Sequence, residues 1–274
     1  VAPSRGLGDV YKRQISQFLG AGRAGKMKTA VSTTLINFLI ISMLLGTVGL
    51  IGNDWILRLL KVPENVFRDA AAYLRIYFLG LPFLFMYNVQ ASVFNSLGDS
   101  RTPLYLLIFS SLLNIFLDLV FVIQFGLGVK GVAFATLIAQ GISAVISFVL
   151  LLRKVKKYPH ERSEFHFYDG KMLRSMTRVA IPSILQQSIV HMGILLVQSV
   201  VNTFGSAVMA GYSAGTRIES LAIVPMTAVG NAMSTFTAQN MGAGNVKRVK
   251  EGYRFCYITV SYTHLRAHET ELHL

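Results

Sequence analysis

Apolar residues in this chain form long uncharged windows, which polar or basic segments separate. Four windows fill the first part of the chain: 30–52, 76–97, 102–129 and 131–152. The third of them contains one acid, Asp118. Residues 179–216 then carry no charge, which leaves room for one span, a short turn at 202–206 and the start of another span that ends near 238. Because about 20 apolar residues cross the hydrocarbon of a bilayer, this pattern predicts six transmembrane helices.

The amino-acid composition supports a membrane protein. The hydrophobic fraction is 53% and the charged fraction is 14%, whereas about a quarter of the residues of a soluble domain are charged. We therefore expect an all-α polytopic membrane protein. The net charge of +13 comes from Lys and Arg between the spans, which membrane topology explains, so we do not expect nucleic-acid binding. The single cysteine, Cys256, permits neither an intrachain disulfide nor a cysteine-based metal cluster.

Lys and Arg are distributed unequally between alternate connections of the predicted spans. One set of connections holds sixteen of these residues and the other set holds five. Because basic residues collect on the cytoplasmic side of membrane proteins, the first set is predicted to be cytoplasmic. It comprises the loops at 20–28, 98–102, 153–178 and 242–254. The loop at 153–178 is then a cytoplasmic linker between two halves of a multi-pass protein of the inner (cytoplasmic) membrane.

A sequence motif occurs twice. Residues 17–28 read QFLGAGRAGKMK and residues 239–250 read QNMGAGNVKRVK, so the pattern Q-x-x-G-A-G recurs at an offset of 222 residues. The recurrence indicates two copies of one structural unit. In both copies the G-A-G element follows a predicted helix and not a strand, which is typical of a helix end.

The two ends of the chain break the repeat. Residues 1–14 are not apolar although the equivalent region before Gln239 is, and the chain after Val260 turns into a polar sequence. Both ends resemble translated sequencing-adapter read-through. We therefore predict that residues 1–14 and 261–274 are non-native and that the authentic protein extends beyond both.

The acid in the third span is the first candidate for chemistry. Asp118 lies four residues after Asn114, so one helical face presents both side chains. A carboxylate within hydrocarbon is costly, and its default interpretation is a functional site that faces the protein interior. The alternative is that the two side chains only hold neighbouring helices together by hydrogen bonds.

The later spans contain further polar candidates. Glu219 lies near mid-depth of the last span, where it could bind a substrate or a proton, or could pair with a basic residue outside this chain. His191 lies near Gln187 in the preceding span and is either a packed polar residue or a proton relay. The sequence leaves these alternatives open.

Several motifs together resemble the multidrug and toxic compound extrusion family over about residues 15–260. They are the two Q-x-x-G-A-G loops, the G-D-S-R-T-P-L turn at 98–104, the N-I-F-L-D helix at 114–118 and the G-V-K-G-V-A-F-A-T segment at 128–136. The resemblance implies a two-lobed helical bundle of twelve helices around a central cavity. This chain would contain helices three to six of the first lobe (15–152), the linker (153–178), and helices seven and eight with a stub of nine (179–260).

The resemblance also implies a function and a site. It implies an antiporter that exports cationic or amphipathic organic solutes in exchange for Na⁺ or H⁺, works as a monomer in the bilayer, is not an enzyme and needs no other cofactor. The first-lobe cation site of the family matches Asn114, Asp118 and Thr136. The other acid of that site, on the first helix of the family, would lie outside this chain.

The sequence also bears on three other functions. A lipid-linked oligosaccharide flippase of the same superfamily should place several basic residues in the spans, and only Arg217 is found there. An enzyme needs convergent reactive groups, whereas Asp118, His191 and Glu219 are scattered, and the sequence has no G-x-x-x-x-G-K-[ST] phosphate loop for ATP. A channel is not excluded by the sequence, although a two-lobed repeat favours a carrier.

Overall fold

The computed structural model describes residues 7–59, 62, 64–159, 164–202 and 204–271. Within them the chain forms eight α-helices and one π-helical segment, and no β-strand. In chain order these are α1 (Leu7–Gly20), α2 (Ala24–Leu59), α3 (Glu64–Ser96), α4 (Arg101–Leu119), the π segment (Val120–Gln124), α5 (Gly128–Lys156), α6 (Gly170–Asn202), α7 (Ser206–Gly242) and α8 (Val246–Glu271). The predicted all-α fold class is confirmed.

Six spans in the described part of the chain are long and apolar enough to cross a membrane, as predicted: α2, α3, α4 with the π segment, α5, α6 and α7. The predicted turn after the fifth span is also present, since α6 ends at Asn202 and α7 begins at Ser206. Residue 203, within that turn, lies outside the described residues. The helices exceed the apolar windows: α2 has 36 residues, about 54 Å at 1.5 Å per residue, because backbone hydrogen bonding continues beyond the hydrocarbon.

The connections are shorter than the predicted loops. Only three residues separate α1 from α2 and α7 from α8, so most of 20–28 and 242–254 is helical. The segment 98–102 likewise includes the first turn of α4, and 153–178 includes the end of α5 and the start of α6. The reason is that a glycine can end one helix within three residues, and the next helix can then begin outside the apolar window.

The two chain ends are helical where they are described. Residues 7–14 begin α1, and residues 261–271 end α8. A helical structure does not show whether these residues belong to the natural protein, so their non-native origin stays a prediction.

Residues 28–169 form one compact unit. In this unit α2 runs antiparallel to α3. Asn53 Nδ2 on α2 donates a hydrogen bond of 3.3 Å to Ala71 O on α3, and the Phe38 and Phe85 rings lie 6.4 Å apart further along the pair. From Phe38 to Asn53 along α2, the contacting residue on α3 moves back from Phe85 to Ala71, so the two helices run in opposite directions.

The helix α5 contacts both α3 and α4, and it buries a stripe of small side chains in doing so. Ala135, Ala139, Ser143 and Ser147 recur every four residues, and each is at most 1% exposed. Helices in a membrane associate by close van der Waals packing, which small residues permit. The stripe therefore explains how α5 can sit at the centre of this unit.

The end of the connection between α5 and α6 returns to α2. The backbone N–H groups of His166 and Asp169 donate to the hydroxyls of Thr29 and Thr33 at 3.0 and 3.1 Å. These threonines lie four residues apart, on one face of α2, and both are buried. Their hydroxyls thus fix the linker before α6 begins.

A second compact unit contains the chain up to Met27 and the chain from Gly170 onward. In it α7 is the shared element, because α1, α6 and α8 all contact it. Ile15 of α1 is completely buried, and Lys12 Nζ donates to Asn231 O of α7 at 3.4 Å. The first copy of the repeated motif therefore packs against the helix that carries the second copy.

Candidate cation-binding site

The helices α4 and α5 pack side by side in the first unit, and they bring two of the predicted site residues into contact. Asn114 Nδ2 on α4 donates to Thr136 Oγ1 on α5 at 3.4 Å. Thr136 Oγ1 itself donates to Val132 O at 3.0 Å, one turn earlier in α5. Since its hydrogen is directed at that carbonyl, the threonine oxygen faces the site as an acceptor.

Asp118 lies one turn beyond Asn114 on α4 and is half-buried. Its Oδ1 atom is inaccessible to solvent, and it is among the buried polar atoms of the described residues that have no hydrogen-bond partner. A buried carboxylate oxygen without a partner is costly, so such an atom calls for an explanation. A bound proton or a bound cation would remove the cost.

The residues present fit a small hard cation. A carboxylate from Asp118, an amide from Asn114 and a hydroxyl from Thr136 supply oxygen ligands, which Na⁺ and similar ions prefer over nitrogen or sulfur. These oxygen ligands suit an alkali cation, and the carboxylate could instead take a proton.

The backbone changes its hydrogen-bonding pattern directly after Asp118. The π segment follows α4, and Phe125 N donates to Val120 O at 3.1 Å, five residues back instead of four. π-helical turns inside α-helices occur frequently at functional sites. This turn separates the acid from the connection to α5.

A small cavity adjoins Thr136 between α3 and α5. Its volume is about 10 Å³, roughly the space that one water molecule occupies. Its walls are Tyr73, Ile76, Tyr77, Gly80, Leu84, Ala133, Thr136, Leu137 and Gln140. Most of this lining is apolar, and Thr136 places the cavity next to the site.

The other predicted candidates lie in the second unit. Gln187 is half-buried on α6, while His191 on α6 and Glu219 on α7 are exposed. Within the described residues these three side chains form no hydrogen bond or ion pair with one another. The structure thus does not bring them together, and their roles stay predictions.

An ion pair at the start of α4 was not predicted from the sequence. Asp99 Oδ1 accepts from Thr102 N at 3.0 Å, Asp99 Oδ2 accepts from Thr102 Oγ1 at 2.8 Å, and Lys154 Nζ of α5 also donates to Oδ2. Burial raises the pKa of Asp99, but the hydrogen bonds from Lys154 and Thr102 and the charge of Lys154 outweigh it and lower the pKa to about 2. An acid followed three residues later by Thr at a helix start was the available signal for the contacts with Thr102, but not for the ion pair with Lys154.

A family model described as MatE matches residues 6–120 and 182–264. The chain is 32% identical over 244 residues to "Probable multidrug resistance protein YpnP" of Bacillus subtilis (strain 168). This match covers 89% of this chain and 54% of that protein. It is also 32% identical over 259 residues to "Probable multidrug resistance protein YoeA" of the same organism. This second match covers 91% of this chain and 55% of that protein.

Among solved structures, one described as "Crystal structure of MATE in the straight conformation" superposes with a TM-score of 0.80 at 25% identity. The superposition covers 96% of this chain and 58% of that chain. The chain thus spans about half the length of the curated relatives it matches. The family match, the membrane-spanning helices and the paired Q-x-x-G-A-G motifs agree, and the chain belongs to MatE, the multidrug and toxic compound extrusion family.

Proposed function

We propose that the full-length protein containing this chain is a cation-coupled antiporter that exports cationic or amphipathic organic solutes across the inner membrane. The observation that carries the proposal is the buried, partnerless Oδ1 of Asp118 beside the hydrogen-bonded pair of Asn114 and Thr136. An ionised carboxylate in this position favours a state in which a cation or proton is bound.

Each residue has a distinct task in this proposal. Asp118 supplies the negative charge that the coupling ion neutralises. Asn114 supplies its amide oxygen while its Nδ2 group donates to Thr136 Oγ1. The hydrogen of Thr136 is directed at Val132 O, so the second lone pair of the threonine oxygen can coordinate the ion. Neutralising the carboxylate lowers the cost of burying it, so ion binding would favour a more closed packing of α4 on α5. Alternating access would follow as the two lobes rock against each other.

The relatives named as multidrug resistance proteins support an organic solute as the exported molecule. We retain Glu219, Gln187 and His191 as candidates for binding that solute or a proton. A lipid-linked oligosaccharide flippase is less well supported, because the predicted spans carry only Arg217 to pair with a pyrophosphate, and that side chain is exposed. The proposed topology places the basic ends of α5 and α8 in the cytoplasm.

The test is efflux of a fluorescent organic cation from vesicles that contain the full-length protein. A Na⁺ gradient and a pH gradient are applied separately, so that the gradient that drives efflux names the coupling ion. The matched control for Asp118→Asn is Asp69→Asn, which makes the same chemical change at an exposed residue of α3. We expect Asp118→Asn to abolish gradient-driven efflux and Asp69→Asn to preserve it. Undiminished coupled efflux in Asp118→Asn would refute the assignment.

A further inference from the structure

The two copies of the repeated motif end their helices in the same way. At the end of α1, Gly22 N donates to Leu19 O at 3.1 Å and Arg23 N donates to Phe18 O at 3.0 Å. At the end of α7 the equivalent bonds run from Gly244 N to Met241 O at 3.1 Å and from Asn245 N to Asn240 O at 2.9 Å. Both sets are Schellman motifs, and Gly22 and Gly244 adopt φ values of 69° and 72°.

These two helix ends also contact each other, and the contact is reciprocal. A Cβ atom added to Gly20 would lie 1.9 Å from Gln239 O, and one added to Gly242 would lie 2.2 Å from Gln17 O. Gln17 and Gln239 are equivalent in the repeat, and so are Gly20 and Gly242. The contact is therefore isologous, as across a twofold axis: each motif offers its glycine to the carbonyl of the other.

Only glycine fits at either position. The obstacle to a larger residue is a backbone carbonyl inside a helix, which no side-chain rotation can remove, so even Ala would force the two helices apart. The packing around the contact is tight, since Ser16 next to Gln17 is completely buried and Ala238 next to Gln239 is only 5% exposed. Gly230, further back on α7, has nothing within 4 Å of its Cβ position.

We propose that this reciprocal glycine contact closes the cytoplasmic end of the transport path, with Gly20 and Gly242 acting as positioning residues. The proposal rests on the proposed transport function and on the predicted cytoplasmic side of both loops. One partner helix belongs to each copy of the repeat, so any path that opens to the cytoplasm between the copies must separate these two carbonyl–glycine pairs. The close fit stabilises the closed state, and it is lost as a unit when the path opens.

The experiment uses the full-length protein with Gly20→Ala, Gly242→Ala, both together, and Gly230→Ala as the matched control. A reporter cysteine is placed at the buried position by Ala238→Cys, with the native thiol removed by Cys256→Ser. A membrane-impermeant maleimide then labels the reporter from the cytoplasmic face of inside-out vesicles. We expect either motif variant to speed labelling roughly tenfold and to slow solute efflux, because overpacking of this kind shifts the equilibrium away from the closed state.

The double variant gives a second signature. Since the first substitution already separates the helices, the second should add little, so the effects of the two glycines should be strongly non-additive. Wild-type labelling rates in both single variants would overturn the proposal, provided that size-exclusion profiles in detergent show folded protein. Failure of the transport function itself looks different: wild-type vesicles would then show no efflux under either gradient, while the labelling rates would still report on the glycine contact.

Discussion

The half-buried ion pair between Asp99 and Lys154 gives a pH-dependent stability that can be calculated from its environment. The side chain of Asp99 is 16% exposed and that of Lys154 is 27% exposed, so solvent screens the pair only partly. The pKa of Asp99 falls from an ordinary value of 3.8 to about 2 in the folded protein. Because one pKa unit corresponds to about 1.4 kcal/mol, the ionised carboxylate contributes about 2 kcal/mol to folding.

The sign of the pH dependence follows from the direction of the pKa change. A carboxyl with a lowered folded-state pKa stabilises the protein when it is ionised, so the contribution of Asp99 is fully present above its unfolded pKa of 3.8. It is lost as the pH falls from there through about 2. At neutral pH the Asp99→Asn variant should therefore be less stable than the wild type, and the difference should shrink as the pH falls through this window.

Thermal unfolding of the detergent-solubilised full-length protein measures the effect. Asn preserves an oxygen that can accept from Thr102 N, so Asp99→Asn removes mainly the charge. Lys154→Gln should lower the stability at neutral pH in the same way, while Lys156→Gln, at an exposed residue of the same helix end, should leave it unchanged. A difference between wild type and Asp99→Asn that stays constant down to pH 2 would contradict the assignment of the stability to the ionised carboxyl.

Two further predictions concern α2 and α3. Gly49→Ala should lower the stability by about 1–3 kcal/mol, because its Cβ would lie 2.3 Å from the ring of Phe78. Gly52→Ala should be tolerated, because the nearest atom to its Cβ would be 3.7 Å away. Equal melting temperatures for the two variants would refute this prediction. Arg75→Gln should leave the melting temperature unchanged, because its ion pair with Asp54 is more than half exposed on both sides; a fall as large as that of Lys154→Gln would show that exposure is the wrong criterion.

The sequence predicted the spans well because hydrophobicity is a local property. The six predicted spans became six helices, and the turn after the fifth lies where Asn202 and Gly205 had indicated it. The helix ends were less predictable. Charged residues such as Lys26 and Arg58 lie inside α2, because a helix stabilised by its own backbone bonds does not stop at the edge of the hydrocarbon.

Contacts between residues far apart in the sequence were predicted only where the resemblance to the transporter family placed both residues in one site. Asn114 and Thr136 were expected together on that ground, and they form a hydrogen bond. Asp99 and Lys154, which are 55 residues apart, each looked like an ordinary loop charge, because neither sequence neighbourhood contains a trace of the other. Local patterns contain no information on which charges meet in space.

The repeated motif illustrates the same limit. The recurrence of Q-x-x-G-A-G predicted two equivalent helix ends, and positive φ angles at Gly22 and Gly244 confirm them. It did not predict that the two ends touch, since two copies of a unit can equally well lie apart. The contact follows from the way α1 packs along α7.

The π segment has a consequence for how chain length varies among related proteins. A π turn contains one residue more than an α turn, so loss of one residue from Val120–Gln124 would let the chain continue as a plain α-helix. Because the wider π turn already accommodates the extra residue, the side chains after the deletion would keep nearly the direction that they have now. Asp118 precedes the segment and would stay in place. Loss of a single codon here would thus spare both the acid and the direction of the connection to α5.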